Sequence, residues 1–324
     1  MKHLLVMLFM GSLAVGSAPA AGPRVRLIAV QMKADTGSYR NLSTFRKTMD
    51  ALIGEAAKRK AATCPTLVAL PEDTGLGLIF LGQMDTVKGA TTIREAGDLL
   101  GRKMAAQVMG NVMAHNVSPT RALLLAANDG WLRAAYYDTF SALARKYGVY
   151  LAAGSAPLSK PGSADVHNVA ILFGPDGEVL NETSKVHLIE LEGAAGLDLT
   201  PGRIEDLKVA ATPFGKVGTA VCWDGFHDDV LDALTHQGAE FIVQPSYNPG
   251  PWTKDEEANW GTGLWTRLKT RPGVKAGVNP MMVGGLWDVI CEGQSNIVGA
   301  AAPPNGYFGR ARSAQEPSLV LVDR

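Results

Sequence analysis

Short apolar runs alternate along this chain with longer segments that have the periodicity of a helix. Residues 24–32 form the first apolar run, and residues 41–60 carry apolar side chains every three or four positions, as an amphipathic helix does. A second short run, residues 66–70, ends immediately before Pro71 and Glu72. A strand, a helix and a strand in this order predict a parallel sheet.

The same alternation continues to the end of the chain. Residues 74–128 are mostly helical in pattern. Further strands are predicted at residues 149–153, 167–173, 178–185, 217–221, 241–244, 281–287, 295–300 and 318–322, and further helices at residues 136–147 and 228–237. An Asp-Gly turn between residues 167–173 and 178–185 predicts a hairpin. No Ser/Pro linker or change in composition divides residues 24–324, so we expect one domain there.

The first 22 residues have a composition of their own. A Lys-His start leads into an apolar core of about a dozen residues and then into small residues. This pattern predicts a signal peptide over residues 1–20, cleaved near Ala20, and therefore an exported protein, periplasmic or secreted. The apolar core is shorter than the roughly 20 residues that cross a bilayer, and no later segment qualifies, so we expect no membrane span.

Charge and cysteine content exclude several classes of function. Formal net charge is zero without blocks of like charge, which argues against a nucleic-acid partner. No glycine-rich phosphate loop follows a strand, and no histidine has metal-ligand spacing, so we expect neither a cofactor nor a metal. The three cysteines, Cys64, Cys222 and Cys291, predict no disulfide framework. Cys64 and Cys291 are either bridged or separate core residues.

Three residues with reactive side chains each follow a predicted strand: Glu72, Lys185 and Cys222. The ends of strands in one sheet converge, and active sites of α/β folds lie at that edge. A carboxylate there takes the thiol proton, while an ammonium stabilises a thiolate or an oxyanion. The position of Cys222 alone is equally that of a buried structural cysteine, since free cysteines are among the most buried residues.

The motifs around these residues resemble those of the nitrilase superfamily of carbon–nitrogen hydrolases. They are Leu70-Pro71-Glu72, Lys185-Val186-His187-Leu188, and Gly218 through Cys222-Trp223-Asp224, in the order and at separations comparable to those of the family, with further similarity at Asn168 and at Gly293 through Ile297. The resemblance covers nearly all of residues 24–324 and is that of an exported bacterial-type member. It implies an α/β fold, a four-layer αββα sandwich, and pairing of subunits into a homodimer or higher homo-oligomer.

The resemblance also implies a role for each residue of the reactive set. Cys222 is expected to attack the carbon of an amide or nitrile, Glu72 to act as general base, and Lys185 to stabilise the tetrahedral intermediate. The backbone N–H of Trp223 is expected to complete the oxyanion site.

Two further positions are candidates for supporting the reaction. Many members have a second glutamate after the lysine, and either Glu190 or Glu192 qualifies here; the seven-residue offset of Glu192 from Lys185 favours it. Tyr247, which follows the predicted strand at residues 241–244, is a candidate for substrate binding. Four tryptophans, Trp252, Trp260, Trp265 and Trp287, form either an aromatic rim for substrate or parts of the core.

The expected activity is hydrolysis of a nonpeptide carbon–nitrogen bond through a thioester on Cys222, with an amide substrate favoured over a nitrile. One alternative is transfer of the acyl group from Cys222 to an amine. Another is a catalytically silent binding protein on the same fold, which predicts a lost catalytic residue. After Cys222 the chain reads Gly225-Phe226-His227-Asp228, where many members have Arg followed by Pro-Glu, so the pocket differs there.

Overall fold

The computed structural model describes residues 24–303 and 306–324. The predicted signal peptide, residues 1–20, lies outside the described residues. The strands are β1 (Arg26–Gln31), β2 (Lys33–Ala34), β3 (Thr66–Ala69), β4 (Tyr150–Leu158), β5 (His167–Phe173), β6 (Val179–Ser184), β7 (Ala210–Thr212), β8 (Gly215–Thr219), β9 (Phe241–Val243), β10 (Ala276–Asn279), β11 (Val283–Leu286), β12 (Val289–Cys291), β13 (Asn296–Val298), β14 (Tyr307–Arg310) and β15 (Ser318–Asp323).

The α-helices are α1 (Leu42–Ala57), α2 (Ile93–Lys103), α3 (Ala105–His115), α4 (Pro119–Ala127), α5 (Arg133–Tyr147), α6 (Asp228–His236), α7 (Lys254–Gly261) and α8 (Leu264–Arg267). Short 3₁₀ turns occur at Thr36–Tyr39, Leu76–Phe80, Ile204–Asp206, Cys222–Phe226 and Leu268–Thr270, and a π turn occurs at Asn128–Leu132. Side chains of Asn41, Thr92, Ser118 and Thr253 cap helix N-termini by accepting backbone N–H bonds. None of the described helices has the length and apolar character that crossing a membrane requires.

Two six-stranded sheets form the centre of the molecule. One has the order β15-β1-β3-β4-β5-β6, and the other has the order β14-β13-β10-β9-β8-β7. Strand β1 pairs in parallel with β3, and β3 with β4, so the parallel start predicted from the sequence is confirmed. The predicted hairpin is also present, as the antiparallel pair β5 and β6.

The sheets stack face to face because alternate side chains of each strand point to opposite faces. On β1, Leu27 and Ala29 belong to a core between the sheets that also contains Val217 and Phe241 of the second sheet. Ile28 of the same strand points the other way, into the core beneath the helices.

A helical layer covers the outer face of each sheet. Phe45 of α1 and Phe140 of α5 pack in the outer core of the first sheet. Leu231 of α6 and Leu264 of α8 pack against Ile242 of the second sheet. The layers therefore run helix, sheet, sheet, helix, and the predicted αββα sandwich is confirmed.

The second half of the chain departs from the predicted elements. Strand β10 lies in the middle of the second sheet, yet its short Ala-Gly-Val-Asn sequence predicts no strand. Strand β11 joins β12 and β2 in a separate three-stranded sheet, whereas β13 pairs with β10. The strand predicted at residues 217–221 ends two residues early, at Thr219. This leaves Cys222 at the start of a 3₁₀ turn rather than on the strand.

Candidate active site

Four loops that follow β3, β6, β8 and β9 meet at one edge of the sandwich and bring together four predicted residues. Glu72 follows β3, Lys185 follows β6, Cys222 follows β8 and Tyr247 follows β9. All four side chains are buried. Convergence of loops at strand ends is the usual origin of an active site in an α/β fold.

Both oxygens of the Glu72 carboxylate accept hydrogen bonds. Oε1 accepts from Lys185 Nζ at 2.8 Å and from Asn168 Nδ2 at 2.9 Å. Oε2 accepts from the backbone N–H of Tyr247 at 3.0 Å. A buried carboxylate needs such partners, and here they also fix its orientation.

Lys185 lies between two glutamates. Its Nζ donates to Glu72 Oε1 at 2.8 Å and to Glu192 Oε2 at 2.6 Å, and its side chain is 0% exposed. Asn168 Nδ2 bridges the same pair, since it also donates to Glu192 Oε1 at 2.7 Å. An ammonium has three N–H donors. Two are used in these bonds, so the third remains for a ligand.

The backbone holds Cys222 in an uncommon conformation. Its φ of 48° lies in the left-handed region, which costs about 1–3 kcal/mol for a residue other than glycine. Its N–H donates to Pro245 O at 2.9 Å, and its carbonyl accepts from Gln244 Nε2 at 2.8 Å. The thiol is 3.8 Å from the carbonyl of Tyr247. These contacts fix the direction of Sγ.

The ionisable side chains of Cys222, Lys185 and Glu72 shift one another's pKa values. Burial, and then the charge of Glu72, raise the pKa of the Cys222 thiol well above its usual value, although Lys185 opposes this. Burial lowers the pKa of Lys185, but Glu72, Cys222 and Glu192 outweigh it and raise that pKa. Burial raises the pKa of Glu72 as well, and Lys185 opposes this. In the resting site, the raised pKa of Cys222 disfavours its thiolate, and the raised pKa of Lys185 favours its ammonium form.

Asp224 joins the loop of the thiol to the loop of the lysine. Its buried carboxyl accepts the backbone N–H groups of Val186 at 3.2 Å and His187 at 2.8 Å, next to Lys185. It also accepts the N–H of Val221 at 3.3 Å. Burial outweighs these bonds and raises the pKa of Asp224 to about 6. Asp224 thereby keeps the two loops in register.

Aromatic side chains form a second group beside Cys222. Trp260 packs against the small cluster that contains Cys222. Phe226 stacks on Trp223 with ring centroids 4.7 Å apart and meets Trp260 edge-on at 5.2 Å. Trp252 lies 6.1 Å from Trp260. Trp223 itself is 37% exposed, so this wall reaches the surface.

Of the other two tryptophans, only Trp287 lies elsewhere, where it packs on Phe80 at 4.7 Å. Trp265 stacks on Tyr307 at 5.9 Å and lines the same cavity as Trp252 and Trp260. Three of the four tryptophans therefore surround one cavity, and Phe226 and Trp223 extend this aromatic group from Trp260 toward the surface.

A group of potential metal ligands lies next to the site, where the sequence spacing predicts none. Ligand atoms of His187, His227 and Asp229 are all within 4.8 Å of one another. The two imidazoles stack with centroids 3.7 Å apart and planes 13° apart. Nitrogen lone pairs lie in the ring planes, so in this arrangement they do not converge on one ion. His187 Nε2 instead lies 3.0 Å from both carboxylate oxygens of Asp229.

The structure separates the two candidates for the second glutamate. Glu192 is buried against Lys185, whereas Glu190 is exposed. The three cysteines are all free, so Cys64 and Cys291 are not bridged. Asn168 was found only as part of the family resemblance, and Gln244 was not predicted at all. Both are polar residues on buried strand ends, and no local pattern shows which backbone or side-chain group they bind.

The chain belongs to the carbon–nitrogen hydrolase family, because the family model described as "Carbon-nitrogen hydrolase" matches residues 26–260. The resemblance read from the three motifs is thereby confirmed. An omega-amidase from Xenopus tropicalis is 29% identical over 114 residues, which cover 33% of this chain and 40% of the relative. A deaminated glutathione amidase from Yersinia enterocolitica is 33% identical over 140 residues, 41% of this chain and 46% of the relative. The chain thus aligns with less than half of the length of these curated relatives.

Solved structures with the same fold cover almost the whole chain. An amidase of the nitrilase superfamily from Nesterenkonia AN1 superposes with a TM-score of 0.60 at 20% identity, over 94% of this chain and 92% of that one. A carbon–nitrogen hydrolase from Helicobacter pylori G27 gives a TM-score of 0.60 at 20% identity, over 93% of this chain and 88% of that one. At this identity the similarity establishes the fold.

Proposed function

We propose that this protein is an amidase that hydrolyses a nonpeptide carbon–nitrogen bond through a thioester on Cys222. The observation that carries the proposal is the arrangement of the buried Cys222 thiol beside Glu72, which is hydrogen-bonded to Lys185 at 2.8 Å. Relatives named omega-amidase and deaminated glutathione amidase support the choice of an amide. A variant of the Nesterenkonia amidase carries the product of Michael addition of acrylamide at its active site cysteine, which supports a cysteine nucleophile.

In the first half-reaction, Glu72 takes the proton of Cys222 Sγ as the sulfur attacks the amide carbon. The carbonyl oxygen becomes an oxyanion, and the third N–H of Lys185 is available to it. The N–H of Trp223 lies in the first turn of a helix, where N–H groups have no partner within the helix, so it supplies a second donor. The protonated Glu72 then gives its proton to the amide nitrogen, the C–N bond breaks and the amine leaves.

In the second half-reaction, Glu72 removes a proton from a water molecule that attacks the thioester carbon. The tetrahedral intermediate collapses, the C–S bond breaks, and Cys222 recovers its proton as the carboxylic acid leaves. One base serves both halves because water and amine occupy the same place in turn. Glu192 and Asn168 hold Lys185 and Glu72 in position but take no proton.

Release of ammonia or amine from a panel of aliphatic and aromatic amides and nitriles tests the proposal. We expect turnover of at least one amide by the wild-type protein. We expect none by Cys222→Ala, because removal of a nucleophile leaves only the contribution of binding and the oxyanion site. Cys291→Ala is the matched control, since Cys291 is a second buried cysteine. Undiminished amide turnover by Cys222→Ala would disprove the assignment.

We further propose export of the protein after cleavage near Ala20, and assembly of the mature chain into a homo-oligomer. The apolar core and small residues of the first 22 positions support export. Pairing of subunits in the resembling superfamily supports assembly. N-terminal sequencing of protein recovered outside the cytoplasm and light scattering of that material test the two statements separately.

A further inference from the structure

Asp73, the residue after Glu72, is accessible to water within a segment that is otherwise buried. Every other residue from 66 to 81 is buried. Adjacent Cα atoms are only about 3.8 Å apart. The side chain of Asp73 is therefore a partly accessible carboxyl group directly beside Glu72 in the chain.

The carboxyl group of Asp73 has no partner within the described part of the chain. Its backbone N–H donates to Ser155 Oγ at 3.0 Å, and its carbonyl accepts from Leu76 N–H at 2.9 Å. No hydrogen bond or ion pair joins its side chain to another described residue. A partly buried carboxyl group without a protein partner is free to bind a ligand that brings its own donor.

The surroundings of Asp73 are acidic. After burial, the largest influences on it are the negative charges of Glu72 and Glu192, while Lys185 has a smaller opposing effect. Two donors of Lys185 are already engaged by those glutamates. Three carboxyl groups, those of Glu72, Asp73 and Glu192, therefore share a single ammonium group, that of Lys185.

Three tyrosines lie within electrostatic range of Asp73. Burial, and to a smaller extent the charge of Asp73, raise the pKa values of Tyr39, Tyr136 and Tyr247. Their hydroxyl groups donate to backbone carbonyls, those of Thr74, Ala153 and Val289 respectively. They are thus not available to Asp73. Tyr39 and Tyr247 bind the residues on either side of Asp73, since Tyr39 donates to Thr74 and the N–H of Tyr247 donates to Glu72. Aromatic rings near a carboxylate favour a bound ammonium group.

On the basis of the proposed amidase function, we infer that Asp73 is a specificity residue that binds a protonated amine of the substrate. The substrate class is an amide that carries an ammonium group a few bonds from the scissile carbonyl. Burial and the neighbouring glutamates raise the pKa of Asp73 in the empty site, and a bound ammonium supplies the positive charge that favours its ionised form. The negative charges of these carboxyl groups disfavour a substrate amide that carries a carboxylate.

Matched substrates test this inference on the wild-type protein. Pentanamide is neutral, 4-aminobutanamide has the same length with an ammonium end, and glutaramate has a carboxylate end. N-(2-aminoethyl)butanamide carries the ammonium on the leaving amine, with N-propylbutanamide as its neutral match. We expect kcat/KM for the better cationic amide to exceed that of its neutral match at least tenfold, and glutaramate to be poorest. Equal or lower values for both cationic amides would overturn the inference.

Asp73→Asn removes the carboxyl group of the side chain and keeps its shape. Asp73 has a φ of 58°, and asparagine tolerates this left-handed conformation well. We expect the ratio of kcat/KM for the cationic amide over its neutral match to fall about 10- to 100-fold, the effect of a lost hydrogen bond to a charged group. Asp98→Asn, on the exposed face of α2, removes the same charge at a distance and should leave the ratio unchanged. An unchanged ratio in Asp73→Asn would refute the role.

The outcomes distinguish this inference from the proposed function. Absence of Cys222-dependent hydrolysis of every amide contradicts the proposed function itself. Hydrolysis of neutral amides without a preference for cationic ones leaves the amidase intact and refutes the role of Asp73.

Discussion

The two sides of the Cys222 thiol are built in different ways. On the polar side, formed by Glu72, Asn168, Lys185 and Glu192, the side chains are linked by hydrogen bonds of 2.6 to 2.9 Å. On the aromatic side, formed by Trp223, Phe226, Trp252 and Trp260, rings pack with centroids 4.7 to 6.1 Å apart. The polar side is fully buried, whereas the aromatic side reaches the surface at Trp223.

In the proposed mechanism, the polar side performs the chemistry and the aromatic side selects the substrate. Hydrogen bonds to charged groups are directional and strong, so the polar side holds the Glu72 carboxyl and the Lys185 ammonium in one arrangement. Ring packing depends mainly on buried area and tolerates changes in shape. We therefore expect substitutions on the polar side to affect kcat and stability, and substitutions on the aromatic side to affect mainly KM.

The largest effect is expected from Lys185→Met. It removes the cation between Glu72 and Glu192 and leaves two buried carboxylates facing each other, which costs about 3–5 kcal/mol of stability as well as amidase activity. Lys146→Met breaks the exposed pair with Asp50, in which the lysine side chain is 54% exposed, and should barely move the urea midpoint. Equal midpoint shifts in the two variants would contradict the account.

Glu72→Gln should remove the base with little change in shape. We expect kcat to fall about 10²- to 10⁴-fold, since this is the usual contribution of a general base. Glu190→Gln is the matched control, because Glu190 is an exposed glutamate on the loop that carries Glu192. Steady-state kinetics on the best amide substrate measures both. A variant of Glu72 with normal kcat would exclude this residue as the base.

Asp224→Asn tests the link between the two loops, and the effect should depend on pH. The pKa of Asp224 is raised to about 6 in the folded protein, so its protonated form contributes stability below about pH 4 that is lost as pH rises to about 6. For a shift of about two units this loss is on the order of 3 kcal/mol. Asparagine does not titrate.

Urea unfolding at pH 4 and pH 7 measures that dependence. The stability advantage of the wild type over Asp224→Asn should be smaller at pH 7 than at pH 4. An advantage that grows toward pH 7 would show that the hydrogen bonds from Val186 and His187 outweigh burial.

The smallest effect is expected from Trp260→Ala on the aromatic side. Loss of the ring beside the cluster that contains Cys222 should raise KM about three- to tenfold and leave kcat within about twofold, because the proposed mechanism gives this ring a part in binding substrate and none in proton transfer. Trp287→Ala, which removes a ring packed on Phe80, controls for loss of packing. A large fall in kcat with constant KM in Trp260→Ala would assign this ring to the chemistry.

The sequence points to Glu72, Lys185 and Cys222 because each follows a predicted strand, whereas Asn168 and Glu192 depend on the family resemblance. Glu72 and Cys222 come after buried runs, and Lys185 comes after β6, in which buried and exposed side chains are mixed. The layers of the fold are predicted by the resemblance to the nitrilase superfamily, and in the structure the alternation on β1 divides its side chains between two cores.

The remaining features depend on contacts between distant segments. Strand β10 contains glycine and asparagine and becomes a strand only because β9 and β13 pair with it on either side. Gln244 acquires its role through the carbonyl of Cys222, 22 positions away. His187 and His227 belong to different loops and stack only in the folded chain. The local pattern of apolar and polar residues in the sequence does not predict such contacts.

The central claim is that Cys222 carries the acyl group during turnover. Acid quenching of Glu72→Gln and wild-type protein during amide hydrolysis, followed by intact mass measurement and peptide mapping, tests it directly. We predict a mass increase equal to the acyl group, located on the peptide that contains Cys222. An acyl adduct found only on Cys64 or Cys291, or turnover by the wild type with no adduct on Cys222 at any quench time, would contradict the account.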